Sequence, residues 1–313
     1  MARAQFPDEQ VEDRFERQED AFRRWIRADG SGEFPVEANR YHLYVSLACP
    51  WASRTVIVRK LKRLEDAIGM TVVDPVRDER GWAFRDGPGY SRDPLNGWAF
   101  LSEAYFATEP GYEGRVTVPV LWDKKTRTIV SNSDDDIMRM LETEFDNLGD
   151  GGALDFYPAQ HRDQVEALNE WIYETLNNGV YEAGFATSQH AYERGAYRVF
   201  ETLDNLEERL STRRYLVAEW PVETDWRAFV TLIRFDAVYV GHFKCNLRRI
   251  VDYPNLWGYV RDLYQYRGVA DTVDFDHIKR HYYYTHDEIN PTRIVPIGPQ
   301  LDLTSPHGRD RLR

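Results

Sequence analysis

The chain has 313 residues, 42% of them hydrophobic and 14% aromatic, which is enough for two domains with a sizeable core. Its net charge of −12 at pH 7 has the wrong sign for general nucleic-acid binding. Two cysteines exclude a disulfide framework and a cysteine-rich zinc site, and no apolar run reaches the length of a membrane span.

The N-terminal part of the chain is highly charged. Residues 8–28 mix acidic residues and arginines with a few aromatic side chains, and Gly30-Ser31-Gly32 follows. This pattern predicts an amphipathic helix within an N-terminal helical extension over residues 1–35. The segment from Met1 to Asp29 lacks the apolar stretch of a secretory signal. Together with a free reactive thiol, this predicts a cytoplasmic protein.

A cysteine stands between a predicted strand and a predicted helix. Residues 41–46 form an alternating apolar stretch, as in a strand. After Pro50, apolar side chains recur at helical spacing. Proline suits the first helical position, so Cys49 falls at the N-cap. The partial positive charge of a helix N-terminus favours a thiolate, and Arg54, one turn on, adds to it. We therefore expect Cys49 to be a nucleophile and not a buried structural cysteine.

Cys49 has no local partner thiol. A dithiol redox motif places a second cysteine three residues on, where this chain has Ala52. The other thiol, Cys245, is nearly two hundred residues away, and the sequence does not favour a disulfide between the two. A mixed disulfide on Cys49 must then be released by an outside thiol. This predicts a monothiol mechanism with a small thiol as cosubstrate.

The elements up to residue 150 follow the order of a thioredoxin-like domain. Strands are predicted at 71–76, 116–121 and 127–130, with a long insert at 77–115 after the first of them. Ser133 and its neighbours can cap the helix that follows. Proline is usually confined to sheet edges, so Pro119 is read either as an ordinary trans edge residue or as a cis-proline that exposes the backbone of Val118. The order of the elements favours the cis-proline, facing the active cysteine.

The rest of the chain reads as helices. After Asp150-Gly151-Gly152, apolar residues recur at helical spacing in four stretches, which predicts a helical bundle. We therefore expect an α/β thioredoxin-like domain over 36–150, with its insert at 77–115, followed by an all-α domain over 151–313 with an extended tail. This predicted architecture resembles that of the cytosolic glutathione transferases.

Several motifs together give the chain a closer resemblance. They are Cys49-Pro50-Trp51-Ala52, Arg80-Gly81-Trp82-Ala83-Phe84, Asn178-Gly179-Val180-Tyr181-Glu182-Ala183-Gly184-Phe185-Ala186, Leu232-Ile233-Arg234-Phe235-Asp236, Cys245-Asn246-Leu247, and His281-Tyr282-Tyr283 with Ile289-Asn290-Pro291. The set resembles the Xi class of glutathione transferases, the glutathionyl-hydroquinone reductases, from about residue 20 to residue 300.

The resemblance implies a reaction and roles for particular residues. The Cys49 thiolate would attack the sulfur of a hydroquinone thioether, and a second thiol would release the resulting mixed disulfide. Tyr181 and Tyr282 would line the aromatic site and hydrogen-bond the hydroquinone oxygens, as phenols can both donate and accept. Trp82 would pack over the thiol, and the backbone of Val118, before Pro119, would pair with it. The resemblance implies no tightly bound cofactor. It implies a homodimer formed through the helical domain.

The chain departs from the family pattern where the thiol binds. Glutathione-binding domains of this kind usually have Glu-Ser at the start of the helix after the last strand, but here Ser133 and Asp134 stand at these positions. The carboxylate of Asp134 would repel an incoming carboxylate. Two like charges about 4 Å apart cost on the order of 1 to 4 kcal/mol of binding free energy. The thiol is therefore either glutathione or a sugar-bearing thiol without a carboxylate, such as mycothiol.

Other functions stay open on sequence grounds. An omega-like cysteine transferase could reduce dehydroascorbate, deglutathionylate proteins or dehalogenate reductively with the same thiolate. A transferase fold can also serve as a non-catalytic binding module, although the position of Cys49 argues against it. His277 and His281 share a helix face but have no convincing ligand set around them, so no metal site is expected.

Overall fold

The computed structural model of the chain describes residues 10–11, 14–15, 18–149 and 154–312. Among these, residues 18–149, 154 and 271–285 form one compact unit. Residues 10–11, 14–15, 155–270 and 286–312 form a second.

The predicted amphipathic helix over 8–28 is wrong for the described residues. Short strands replace it: β1 (Gln10–Val11) pairs with β2 (Arg14–Phe15), and β3 (Ile26–Arg27) pairs with β4 (Phe34–Pro35). Residues 1–9, 12–13 and 16–17 of the predicted extension lie outside the described part of the chain.

A mixed four-stranded sheet forms the centre of the first unit. Its order is β6-β5-β7-β8, with β5 parallel to β6 and antiparallel to β7, and β7 antiparallel to β8. The strands and the helices that belong with them are β5 (Tyr41–Val45), α1 (Pro50–Leu61), β6 (Gly69–Val72), α2 (Ser102–Thr108), β7 (Val120–Asp123), β8 (Thr128–Ser131) and α3 (Asp134–Thr143). Helices α1 and α3 pack against each other. The thioredoxin-like element order is confirmed.

The strand after the insert begins later than its sequence predicts. Residues 116–121 read as a strand, but β7 begins at Val120, because Pro119 has no N–H to donate to the ladder. Thr117 is held by a side chain instead. The Tyr105 hydroxyl accepts from Thr117 N and donates to Thr117 O, both at 3.0 Å. The predicted strand at 71–76 is likewise shifted, to 69–72.

Helices make up most of the second unit, as predicted. They are α4 (Arg162–Ile172), α5 (Gly179–Gly184), α6 (Gln189–Arg209), α7 (Glu223–Arg234) and α8 (Pro254–Tyr264). Helices α4 and α7 each continue into a π-helical turn, at Tyr173–Asn177 and Phe235–Tyr239. Near the end of the tail, buried Arg309 donates to the carbonyls of Leu210 and Asn255, so the tail packs on this unit.

Helix α9 (Phe275–Thr285) groups with the first unit, although the sequence pattern placed it in the C-terminal domain. Three hydrogen bonds fasten it to the long insert and the residues just before it. His281 Nδ1 donates to Pro75 O at 2.8 Å, and His277 Nε2 donates to Pro88 O at 2.7 Å. Arg77 N donates to the Thr285 hydroxyl at 3.3 Å. The other domain limits stay predictions.

Candidate active site

Cys49 is the N-cap of α1, as predicted. Its backbone is extended (φ −73°, ψ 120°), Pro50 takes the first helical position, and the side chain makes no capping bond. The half-buried Sγ lies 3.6 Å from the carbonyl oxygen of Val118. This placement puts the sulfur at the positive end of α1, beside the backbone of another loop.

The predicted cis-proline loop is confirmed. The Val118-Pro119 peptide bond is cis, and Val118 is buried. Asn132 Nδ2 donates to the Thr117 hydroxyl at 3.0 Å, which adds to the grip of Tyr105 on the same residue. The segment next to the Cys49 sulfur is thus fixed by side chains of α2 and of the residue after β8.

Ser133 and Asp134 begin α3. Ser133 is the N-cap, and its hydroxyl accepts from Asp136 N at 3.4 Å. Asp134 accepts from Arg54 Nη1 at 2.8 Å, and Asp135 accepts from the same nitrogen at 3.3 Å. The Arg54 side chain is fully buried, and its guanidinium lies 4.7 Å from the ring centroid of Trp51. A cation from the second turn of α1 therefore neutralises part of the acidic end of α3.

Trp82 lies between a cation and an imidazole. It is 3% exposed, with Arg77 Cζ 5.1 Å from its ring centroid and the His281 ring stacked on it at 5.0 Å. Leu101 N donates to its carbonyl at 2.9 Å. The residue predicted to cover the thiol is thus held within the insert by its backbone and by α9 through its ring.

The two tyrosines of the predicted aromatic site belong to different units. Tyr282 is on α9 in the first unit and is 1% exposed. Tyr181 is on α5 in the second unit, where its ring centroid lies 5.3 Å from that of Phe243 and 6.2 Å from that of Phe185. Phe243 and Phe185 also pack on His286, which shares a hydrogen bond of 3.2 Å with His242.

Cys245 is more deeply buried than Cys49. It is fully buried, and burial raises the pKa of its thiol to about 12. A thiol of this kind is inert as a nucleophile near neutral pH. Neither cysteine forms a disulfide.

The described residues contain neither a cluster of candidate metal ligands nor a candidate membrane-spanning helix. In that part of the chain, no group of three or more histidine, cysteine, aspartate or glutamate side chains is arranged to hold a metal ion. One ring nitrogen of His277 and one of His281 each donate a hydrogen bond to a backbone carbonyl. None of the helices within the described ranges is both long and apolar enough to cross a membrane.

Sequence reasoning missed the supports of the site. The roles of Tyr105, His281 and the His242–His286 pair depend on contacts between residues far apart in the chain. The sequence indicated a role for Arg54, because it lies one turn after Cys49, but it did not indicate the partners of Arg54 on α3.

Two family models match the chain: "Glutathione S-transferase, N-terminal domain" over residues 48–144 and "Glutathione S-transferase, C-terminal domain" over residues 189–262. The chain is 54% identical to glutathionyl-hydroquinone reductase YqjG of Escherichia coli (strain K12), over 95% of this chain and 92% of that protein. It is 49% identical to glutathionyl-hydroquinone reductase PcpF of Sphingobium chlorophenolicum, over 93% and 91%.

Solved structures agree with these matches. The glutathione-bound structure of YqjG superposes with a TM-score of 0.91, over 93% of this chain and 96% of that chain. Glutathione transferase Xi from Phanerochaete chrysosporium is 51% identical, with a TM-score of 0.89 over 91% and 97%. With the thioredoxin-like order, the Cys49 N-cap and the cis-proline loop, these matches show that the chain belongs to the Xi class of glutathione transferases, the glutathionyl-hydroquinone reductase family.

Proposed function

We propose that this chain is a thiol-dependent reductase that cleaves the thioether of glutathionyl-hydroquinones or of analogous thiol-hydroquinone conjugates. The observation that carries the proposal is the position of Cys49, half-buried at the N-cap of α1, in a chain whose other thiol is buried and inert. The names of the relatives at 54% and 49% identity favour this activity over dehydroascorbate reduction, deglutathionylation and dehalogenation.

The reaction has two steps. The Cys49 thiolate attacks the substrate sulfur, the bond between sulfur and the aromatic carbon breaks, and that carbon takes up a proton as the hydroquinone leaves. A free thiolate then attacks the mixed disulfide, and the Cys49 thiolate leaves as a small-molecule disulfide forms. The aromatic carbon is reduced by two electrons, and the substrate sulfur and the sulfur of one free thiol are oxidised together to a disulfide.

Each residue of the site has a role in this scheme. Tyr181 and Tyr282 bind the hydroquinone oxygens and supply a proton to the leaving ring. Trp82 covers the thiol, and the Val118 backbone before Pro119 pairs with it. The 3.6 Å separation between Cys49 Sγ and Val118 O supports the last role, because a thiol bound to that backbone lies beside the nucleophile.

A separate part of the proposal is the identity of the small thiol. A relative with bound glutathione supports glutathione as an accepted thiol. Around the start of α3, three aspartates (Asp134, Asp135 and Asp136) face two arginines, Arg54 and Arg23. Asp134 stands where the family pattern has a serine, so its carboxylate disfavours the α-carboxylate of glutathione and suits hydroxyl donors. We propose that a carboxylate-free thiol such as mycothiol is preferred about tenfold.

The chain is also proposed to act as a homodimer in the cytoplasm. The family resemblance supports the dimer, and two cysteines that form no disulfide support a reducing compartment. Size-exclusion chromatography with light scattering measures the mass; a particle with the mass of one chain would contradict the dimer.

Steady-state turnover of a purified thiol-hydroquinone conjugate tests the main proposal. We expect the wild type to release hydroquinone in the presence of free thiol, and Cys49→Ala to lose this turnover. Cys245→Ala is the matched control, because it removes the same group from a buried site and is expected to keep the activity. Full turnover by Cys49→Ala, or no reductase turnover by the wild type with either thiol, would overturn the assignment.

A further inference from the structure

One imidazole contacts two residues of the site at once. His281 lies on α9 and is 7% exposed. Its ring stacks on Trp82 with a centroid separation of 5.0 Å and an interplanar angle of 22°, and it meets Tyr282 edge-on at 5.4 Å and 80°. Trp82 covers the thiol and Tyr282 binds the hydroquinone in the proposed reaction, so the His281 ring lies between a residue of each subsite.

A hydrogen bond fixes the plane of this ring. His281 Nδ1 lies 2.8 Å from Pro75 O. A carbonyl oxygen can only accept, so Nδ1 carries the proton and donates it. The bond orients the ring, and the oriented ring packs against the indole. Arg77 restricts Trp82 further, with its guanidinium carbon 5.1 Å from the ring centroid.

A second histidine of α9 fastens the same insert without touching the site. His277 lies one turn before His281, and its Nε2 donates to Pro88 O at 2.7 Å. Its aromatic neighbour is Tyr90, at 5.6 Å between centroids. His277 and His281 thus make the same kind of bond to a proline carbonyl, but in the described part of the chain the ring of His281 packs on Trp82 and Tyr282, whereas that of His277 packs on Tyr90. His277 is therefore the matched control for a purely structural role.

We propose that His281 is a positioning residue of the reductase site, which sets the Trp82 indole against the thiol and braces Tyr282 through the same ring. The inference rests on the proposed function for the roles of Trp82 and Tyr282. His281 acts through these two residues and takes no part in the bond changes at sulfur.

The first test compares alanine variants at the two histidines. His281→Ala is expected to lower kcat/KM for the thiol-hydroquinone conjugate roughly tenfold to a hundredfold, because a misplaced site residue costs that much. His277→Ala is expected to keep the wild-type kcat/KM with a similar drop in Tm, since it loses an equivalent bond. Equal kcat/KM values for the two variants at equal Tm would overturn the proposal.

The second test separates stacking from hydrogen bonding. His281→Phe keeps a ring against Trp82 but loses the bond that orients it, so we expect a lowered Tm and a kcat/KM between those of His281→Ala and the wild type. His281→Asn keeps a donor but no ring, so we expect a Tm near that of the wild type and a kcat/KM near that of His281→Ala. Rescue of kcat/KM by asparagine and not by phenylalanine would show that the bond alone matters, and would overturn the proposal.

A double-mutant cycle completes the design. If His281 acts through Trp82, the double variant Trp82→Ala with His281→Ala is expected to lose little more kcat/KM than Trp82→Ala alone. Fully additive losses would contradict this. Wild-type turnover and its loss in Cys49→Ala are measured alongside. Absence of wild-type turnover refutes the proposed function, whereas normal turnover with an inert His281 refutes only this inference.

Discussion

The Arg54 guanidinium lies 2.8 Å from the carboxylate of Asp134 and joins the second turn of α1 to the first turn of α3. The N-caps of the two helices are Cys49 and Ser133, so the pair connects the helix of the proposed nucleophile to the end of the proposed thiol site where this chain departs from its family pattern. Because the chain's own carboxylates already take up the buried cation, an incoming carboxylate meets a less favourable field there.

Restoring the family pattern is expected to change the thiol preference. In the double variant Ser133→Glu with Asp134→Ser, the Glu can hold the ammonium of glutathione and the Ser can donate to its α-carboxylate. We expect kcat/KM for glutathione to rise about tenfold relative to mycothiol, because the exchange moves a carboxylate from beside the α-carboxylate of glutathione to beside its ammonium, a change worth about 1.4 kcal/mol. Competition assays with the two thiols measure the ratio.

Asp135→Ser is the control for this exchange. It removes a carboxylate that also contacts Arg54 but has 47% of its side chain exposed, so solvent screens its charge. We expect a much smaller change in thiol preference. A wild type that already prefers glutathione, with an exchange variant that does not differ from it, would refute the thiol proposal and leave the reductase proposal intact.

The two cysteines are expected to differ sharply in alkylation. Cys49 is half-buried at a helix N-terminus, whereas Cys245 is buried and its thiol has a pKa raised to about 12. Brief treatment of the folded protein with iodoacetamide near pH 7.5 should modify Cys49 and leave Cys245 intact. Peptide mass spectrometry reads both sites, with urea-unfolded protein as the control in which both react. Equal labelling in the folded state would contradict the geometry.

Asp225 gives the second unit a pH-dependent contribution to stability. Its carboxylate is fully buried and accepts from Leu216 N, Val222 N and the Tyr259 hydroxyl, and burial raises its pKa from 3.8 to about 6. The folded state therefore holds the proton more tightly than the unfolded chain. The contribution of this proton to the free energy of unfolding is fully present below pH 3.8. It is lost as pH rises through about 6, and the loss is on the order of 3 kcal/mol.

Urea unfolding of the wild type and of Asp225→Asn measures this term. The variant does not titrate, so the difference in free energy of unfolding between the two proteins isolates Asp225. We expect the wild type to lose stability relative to the variant between about pH 4 and pH 7. A difference that stays constant, or that changes in the opposite direction, would show that hydrogen bonding outweighs burial at this carboxylate.

Local rules were sufficient where a local cause acts. Pro50 after Cys49 predicted the start of α1, which is confirmed. Ser133 caps α3 as its residue type predicts. These two helix starts depend on a few neighbouring residues, so the sequence pattern was enough to place them. The cis-proline loop, also confirmed, was favoured by the order of the elements around Pro119.

Other parts of the fold depend on partners that are far away in the sequence. The segment around Phe22 reads as a helix but is extended, because the edge of β8 offers it backbone partners: Arg24 N donates to Val130 O, and Asn132 N donates to Phe22 O, both at 3.0 Å. Helix α9 packs with the thioredoxin-like unit through His277, His281 and Thr285, whose partners lie about two hundred residues earlier. No local pattern carries this information.

A single-turnover experiment without free thiol is the sharpest test of Cys49 as the nucleophile. Wild-type protein is mixed with an excess of glutathionyl-hydroquinone or mycothiyl-hydroquinone, the released hydroquinone is quantified, and the intact mass is measured. We expect one equivalent of hydroquinone per active chain and one thiol moiety bound to Cys49, with neither seen for Cys49→Ser. Repeated release by the wild type with no added thiol, or release by Cys49→Ser at the wild-type rate, would contradict it.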